Sequence, residues 1–99
     1  MKSVPAPEIR HERAQARGEF VMERDGERVG ELTYTLAGSR MTILHTEVAR
    51  SLRGGGAAAR LLESAVQWAR SENLKIASRC SYASAVLART PAYADVRSG

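Results

Sequence analysis

Residues 50–62 read RSLRGGGAAARLL. Three glycines separate a pair of arginines from an alanine-rich run that is among the best helix formers in the chain. A plain turn needs one or two glycines. Three in a row, directly before a helix, point to a backbone that something must approach closely. A helix N-terminus presents unpaired N–H groups and a partial positive charge, so an anion settles there readily. Gly54, Gly55 and Gly56 remove side chains that would hold an anion away, and Arg50 and Arg53 add positive charge beside it. The alternative is a flexible turn with no ligand.

The flanking segments supply the rest of the fold. Upstream, GEFVMERDGERVGELTYTLA contains Asp25-Gly26, a strong hairpin signal. Phe20 and Met22 alternate around Val21 before it; Leu32, Tyr34 and Leu36 alternate with Glu31, Thr33 and Thr35 after it. Gly38-Ser39 marks a second turn. RMTILHTEVA then predicts a third strand, with Thr42, Leu44, Thr46 and Val48 on one face and Met41, Ile43, His45 and Glu47 on the other. Downstream the period changes to 3.6: Ala58, Leu61, Leu62, Ala65, Trp68 and Ala69 form an apolar stripe, with Asn73 as the expected C-cap. LKIASRC reads as a short buried strand. SYASAVLART reads as a second helix capped by Ser81 and ended before Pro91. A helix between the third and fourth strands makes a crossover, so those two are expected to run parallel as neighbours. The expectation is an α+β domain of α/β-type layers, a mixed, mostly antiparallel sheet with helices packed on it. Residues 1–9, with their two prolines, are expected to be a loose tail, and residues 10–99 a single domain.

Composition narrows the function classes. With 43% hydrophobic and 26% charged residues, the chain reads as a soluble globular protein. No apolar run approaches the roughly 20 residues of a membrane span, and the N-terminus lacks the apolar segment of a secretory signal. The single cysteine, Cys80, rules out an internal disulfide and suits a reducing, cytoplasmic setting. Two histidines far apart give no zinc pattern, so no metal is expected. The net charge of +4 favours an anionic partner without choosing between nucleic acid and a phosphate-bearing cofactor. The excess is almost wholly arginine, which suits bidentate phosphate contact, although a coding bias gives the same excess. Two familiar phosphate motifs are missing. A Walker A loop needs Lys-Ser or Lys-Thr after its last glycine, where this chain has Ala57-Ala58. A dinucleotide fingerprint needs spaced glycines and a distant acidic residue.

Arg53-Gly54-Gly55-Gly56-Ala57-Ala58 resembles the Arg/Gln-x-x-Gly-x-Gly/Ala motif of the GNAT superfamily of acetyl-CoA-dependent N-acetyltransferases. HTEV at 45–48, CSY at 80–82 and RTPAYADV at 89–96 resemble stretches of a group of very small, stand-alone GNAT-like proteins. The resemblance covers about residues 17–97. It implies a minimal GNAT fold that holds acetyl-CoA where the strand with His45–Val48 parts from the strand with Leu74–Cys80. It further implies that the pantetheine arm runs along Val48 and Ala49, and that the diphosphate rests on the N–H groups of Arg53, Gly54, Gly55, Gly56, Ala57 and Ala58. The implied activity is acetyl transfer to a small-molecule or protein amine.

Such a transfer needs a nucleophile, a proton acceptor and donors for the thioester oxygen. Cys80 ends a strand and precedes a helix, a position that favours an anionic sulfur, with Arg79 beside it. The resemblance to the small GNAT-like proteins, which place a cysteine at this site, implies that Cys80 is a candidate for a covalent acetyl-cysteine step; the structural alternative is a small buried residue filling a gap. His45 is a candidate proton acceptor because histidine titrates near neutrality, and Glu47 shares its strand face. The structural alternative gives His45 a hydrogen bond and leaves Glu47 in solvent. Trp68 and Tyr34 are expected in the core; Tyr82 could face the cofactor or pack. A reading from another class remains, a non-catalytic module binding coenzyme A or a polyanion such as nucleic acid. The lack of interleaved aromatic and basic residues argues against nucleic acid. The oligomeric state stays open.

Overall fold

In the computed structural model, residues 7–98 are described. Five strands, β1 (Glu8–Ala14), β2 (Arg17–Arg24), β3 (Glu27–Ala37), β4 (Arg40–Val48) and β5 (Lys75–Ser78), form one sheet in the order β1-β2-β3-β4-β5. The first four run antiparallel and β5 joins β4 in parallel, reached through α1 (Ala57–Ser71). A second helix, α2 (Ser81–Arg89), follows β5, and a 3₁₀ segment (Pro91–Val96) closes the chain. The expected mixed sheet with helices and the parallel crossover are both present.

The turn chemistry explains the hairpins. Asp25 and Gly26 both take positive φ, at 53° and 78°, the conformation a tight two-residue hairpin turn needs. Helix α1 ends in a left-handed Asn73 at φ 57°. Leu74 N–H reaches Ala69 O at 2.8 Å and Asn73 N–H reaches Arg70 O at 3.2 Å, a Schellman closure that satisfies two orphan carbonyls. Glu72 is thus the cap residue, and Asn73 lies one position beyond it.

The core is one cluster. Phe20, Met22, Leu32, Tyr34, Met41, Ile43 and Ile76 from the sheet pack against Leu61, Leu62, Ala65, Val66 and Ala69 of α1, with Ala83 and Leu87 of α2. Burying Leu61 and Leu62 completely contributes about 1.5–3 kcal/mol each. The stripe expected on α1 holds from Leu61 to Ala69. At its start Ala57, not Ala58, is the buried residue. Trp68 is half-buried at the edge of an aromatic group with His11, Phe20 and Tyr34. The His11 ring stacks on Phe20 at 4.1 Å and shares a 2.5 Å hydrogen bond with the Tyr34 hydroxyl.

Three expectations change. The strand β1 starts at Glu8, so Glu8 and Ile9 are strand and not tail; residues 1–6 of the expected tail lie outside the described residues. β1 alternates like any strand, with Ile9, His11 and Arg13 toward the helices. Its charged residues conceal the pattern, because an edge strand places them in solvent. Second, Cys80 caps α2 and Ser81 is its first residue, without a side-chain cap hydrogen bond. Third, β4 carries a bulge. Tyr34 pairs with Ile43 but Thr33 pairs with His45, so Leu44 has no partner on β3. The extra residue exchanges the faces of the strand. Met41 and Ile43 are buried, Leu44 is exposed, and beyond it Thr46 and Val48 turn toward the helices while His45 and Glu47 turn to the open face. The strict alternation read from the sequence therefore fails at one position.

Candidate functional site

The bulge coincides with the place where β4 and β5 part. The β4–β5 ladder runs from Arg40–Lys75 to Ile43–Ser78, and the last bond across it is Arg79 N–H to Ile43 O at 2.8 Å. Beyond that point β4 continues to Val48 while the other chain turns into α2, leaving a split in the sheet. Ala49 N–H bonds to Val29 O at 2.8 Å. Backbone groups alternate along a strand, so Glu47 and His45 address β3, whereas Thr46 and Val48 address the split. The Ala49 carbonyl accepts from Leu52 N–H at 2.9 Å, so both Ala49 backbone groups are held internally. Of the two residues expected along the pantetheine arm, Val48 faces the split and Ala49 anchors the turn that follows.

Cys80 closes the split from the α2 side. Its sulfur lies 3.7 Å from Thr46 Oγ1, and the residue is partly buried. Ser78 fixes the backbone here: its hydroxyl accepts from Cys80 N–H at 3.1 Å and donates to Cys80 O at 3.0 Å. Cys80 is thus neither fully packed away nor free, and it faces β4 across the gap.

His45 lies on the other face. One ring nitrogen, Nε2, is 2.9 Å from Glu31 Oε2 and the other, Nδ1, is 3.2 Å from Thr33 Oγ1. The His45 hydrogen bond, followed by that of Arg28, holds the Glu31 carboxyl below the usual carboxylate range. Arg28 reaches both Glu31 at 2.8 Å and Glu19 at 3.1 Å. Cys80 and His45 therefore do not form a dyad; each has its own partners on its own side of β4. Glu31 and Thr33 are absent from the candidates read in the sequence. The signal was available, since the turn at Gly38-Ser39 sets β3 beside β4, but their partner on β4 depends on the bulge. Likewise, Glu31, His45 and Glu47 bring one donor atom each to within 4.8 Å, a cluster that sequence spacing does not reveal. A groove of about 610 Å³ runs past this region, with Glu12, Glu19, Thr33, Leu44 and His45 among its lining residues. Leu44 is, among the described residues, the one exposed large hydrophobic side chain.

The glycine loop forms the far end of the split. After the 3₁₀ turn Arg50–Leu52, Gly54 and Gly56 adopt φ of 83° and 85°, and Gly56 is the cap of α1. Arg53 N–H bonds to Arg50 O and Gly55 N–H to Leu52 O, both at 3.2 Å. Among the described residues, the N–H groups of Gly54, Gly56, Ala57 and Ala58 have no acceptor in the protein. Nothing lies within 4 Å of where a Cβ would stand on Gly54 or Gly56. Four free amides, an open approach, and no acidic residue in the first turn of α1 fit a diphosphate.

Among the described residues no helix is long and apolar enough to cross a membrane. The family model described as GCN5-related N-acetyltransferase matches residues 19–96. The chain is similar to a GCN5-like candidate N-acetyltransferase from Staphylococcus aureus solved by NMR. The two are 32% identical, with a TM-score of 0.73, over 93% of this chain and 88% of that one. It is also similar to nourseothricin acetyltransferase, at 27% identity and a TM-score of 0.55, over 63% of this chain and 39% of that one. The fold matches that of aminoglycoside N-acetyltransferase AAC(6')-Iy, solved with CoA, at 17% identity and a TM-score of 0.60, over 82% of this chain and 60% of that one. No curated protein sequence matches the chain significantly.

Proposed function

From the premise that this chain belongs to the GCN5-related N-acetyltransferase family, we propose that it binds acetyl-CoA in the β4–β5 split and transfers the acetyl group to an amine. The observation that carries this reading is the run of free amides at Gly54, Gly56, Ala57 and Ala58 at the end of a sheet split bordered by a half-buried thiol. Acetyl-CoA, when bound, supplies the acetyl group as an activated thioester. The loop from Arg53 to Ala58 holds the diphosphate, with Gly54, Gly55 and Gly56 keeping side chains clear and Arg53 adding charge. Val48 and Thr46 offer main-chain groups along the split, where an N–H can stabilise a developing oxyanion. Cys80, facing Thr46 across the gap, would take the acetyl group as its sulfur attacks the thioester carbon and coenzyme A leaves as the thiol with the cysteine proton; the amine then attacks the acetyl carbon and displaces the Cys80 sulfur. His45 takes the proton of the amine through water in the open-face groove, with Glu31 bracing its Nε2. The acceptor is a small-molecule or protein amine entering along that groove. The unpaired thiol supports a reducing, cytoplasmic setting.

Binding is tested first. At a hundredfold excess over Kd, acetyl-CoA stabilises the fold by about 2.7 kcal/mol, a rise of roughly 10–20 °C in melting temperature for a domain of this size. No shift at millimolar acetyl-CoA refutes the reading. The Cys80 role is tested by intact mass: wild type gains one acetyl group and Cys80→Ala does not. Full turnover by Cys80→Ala removes the covalent role and leaves direct transfer. Binding without coenzyme A release, with any amine offered, favours a non-catalytic module.

A further inference from the structure

A basic cavity lies beside the glycine loop. A cavity of about 200 Å³ is lined by Pro7, Arg24, Arg53, Gly55, Ala57 and Arg60, among others. Three arginines reach it from three separate elements: the end of β2, the loop, and the first turn of α1. No acidic residue lines it, and none of the three arginines forms an ion pair among the described residues. Arg60 is steered over the cavity by a 3.2 Å hydrogen bond from its Nη2 to the Pro7 carbonyl, which spends one of its donors and leaves the others free. Like charges gathered without a counter-charge repel unless an anion joins them. The loop amides and Arg53 already suffice for a diphosphate, so Arg24 and Arg60 have no task there.

We propose that Arg24 and Arg60, flanking Arg53, form a clamp for the 3′-phosphate of coenzyme A, so that this protein distinguishes coenzyme A from its 3′-dephospho form. A phosphate monoester carries nearly two charges at neutral pH and three acceptor oxygens, which suits forked donors converging from two sides. The inference rests on the acetyl-CoA reading above and adds a specificity to it.

The test is calorimetric titration of the full chain with coenzyme A and with 3′-dephospho-coenzyme A. Wild type is expected to bind coenzyme A about ten- to a hundredfold more tightly, the range for loss of charge-assisted hydrogen bonds. Arg24→Gln and Arg60→Gln each reduce that preference while leaving the affinity for the dephospho form unchanged. Equal wild-type affinity for the two ligands overturns the clamp and leaves the cofactor reading intact. Equal weakening of both ligands in the variants also overturns it, since the arginines would then serve the diphosphate. Failure of wild type to bind either ligand overturns the cofactor reading itself. The wild-type comparison decides the matter even where a variant is poorly folded.

Discussion

Replacing the three loop glycines by alanine one at a time should separate backbone requirement from ligand requirement. Every Gly→Ala change restricts the unfolded chain and so favours folding by about 0.4–1 kcal/mol where the native backbone tolerates it. That gain is common to all three and cancels from their differences. Gly54 and Gly56 sit at φ of 83° and 85°, where an L-residue pays about 1–2 kcal/mol. Gly55 is outside that region, and its added Cβ would meet only Leu52 O at 3.4 Å, an ordinary contact. Gly55→Ala should therefore be more stable than Gly54→Ala or Gly56→Ala by about 1–2 kcal/mol, or roughly 5–15 °C in melting temperature for a chain of this length. Thermal unfolding by circular dichroism reads this directly. Gly55 also lines the arginine cavity, so its alanine variant should bind coenzyme A more weakly despite its higher stability. Three coincident midpoints, or Gly55→Ala as the least stable of the set, would refute the reasoning. Unchanged coenzyme A affinity in a stabilised Gly55→Ala would show that the middle glycine serves neither purpose.

Gly18→Ala should destabilise by about 1–3 kcal/mol, because its Cβ would lie 2.8 Å from Glu12 O and collide with the Tyr34 ring and hydroxyl. Adding Tyr34→Phe should recover part of the loss in urea titration. Burial, and then Arg13, push the His11 pKa below its ordinary value, so the folded state prefers neutral His11. The unfolded chain consequently binds more protons below about pH 6.5. This contribution is complete above that pH and fades as pH falls toward the folded-state value. His11→Gln should flatten the slope of urea midpoint against pH in that window; an unchanged slope would contradict it. Arg70 bonds Asp95 at 2.8 and 3.0 Å and also reaches Ala92 O, tying the 3₁₀ segment to α1. Being exposed to solvent, the pair adds little to global stability. Arg70→Ala should chiefly speed hydrogen exchange at Ser98 N–H, which bonds Ile76 O at 2.8 Å.

The parts of this fold that were legible from sequence are those with a local cause. Asp25-Gly26 sets the β2–β3 hairpin, the 3.6-residue period fixes α1 from Leu61 to Ala69, and the glycine run marks where α1 begins. Strand β1 was hidden because charged residues, Glu8, Arg10 and Glu12, fill its outward positions and break any apolar run. The bulge at Leu44 was hidden for a different reason. Nothing in MTILHTEV breaks the alternation; the extra residue is accommodated only in the register with β3. This also explains why Cys80 and His45 could be singled out individually but not placed on opposite faces. Glu31 and Thr33 become partners of His45 through the same register.

The displaced register has a consequence for how this strand tolerates change. Met41 and Ile43 are fastened into the interior, so their replacement is felt throughout the molecule. His45 and Glu47, two and four residues further on than Ile43, are exposed and stand outside the main cluster. Chemistry on the open side of β4 can accordingly be rewritten, by mutation or by an engineer's choice, with almost no penalty in folding. One inserted amino acid thus parts the exposed polar side chains of β4 from those that keep the fold intact.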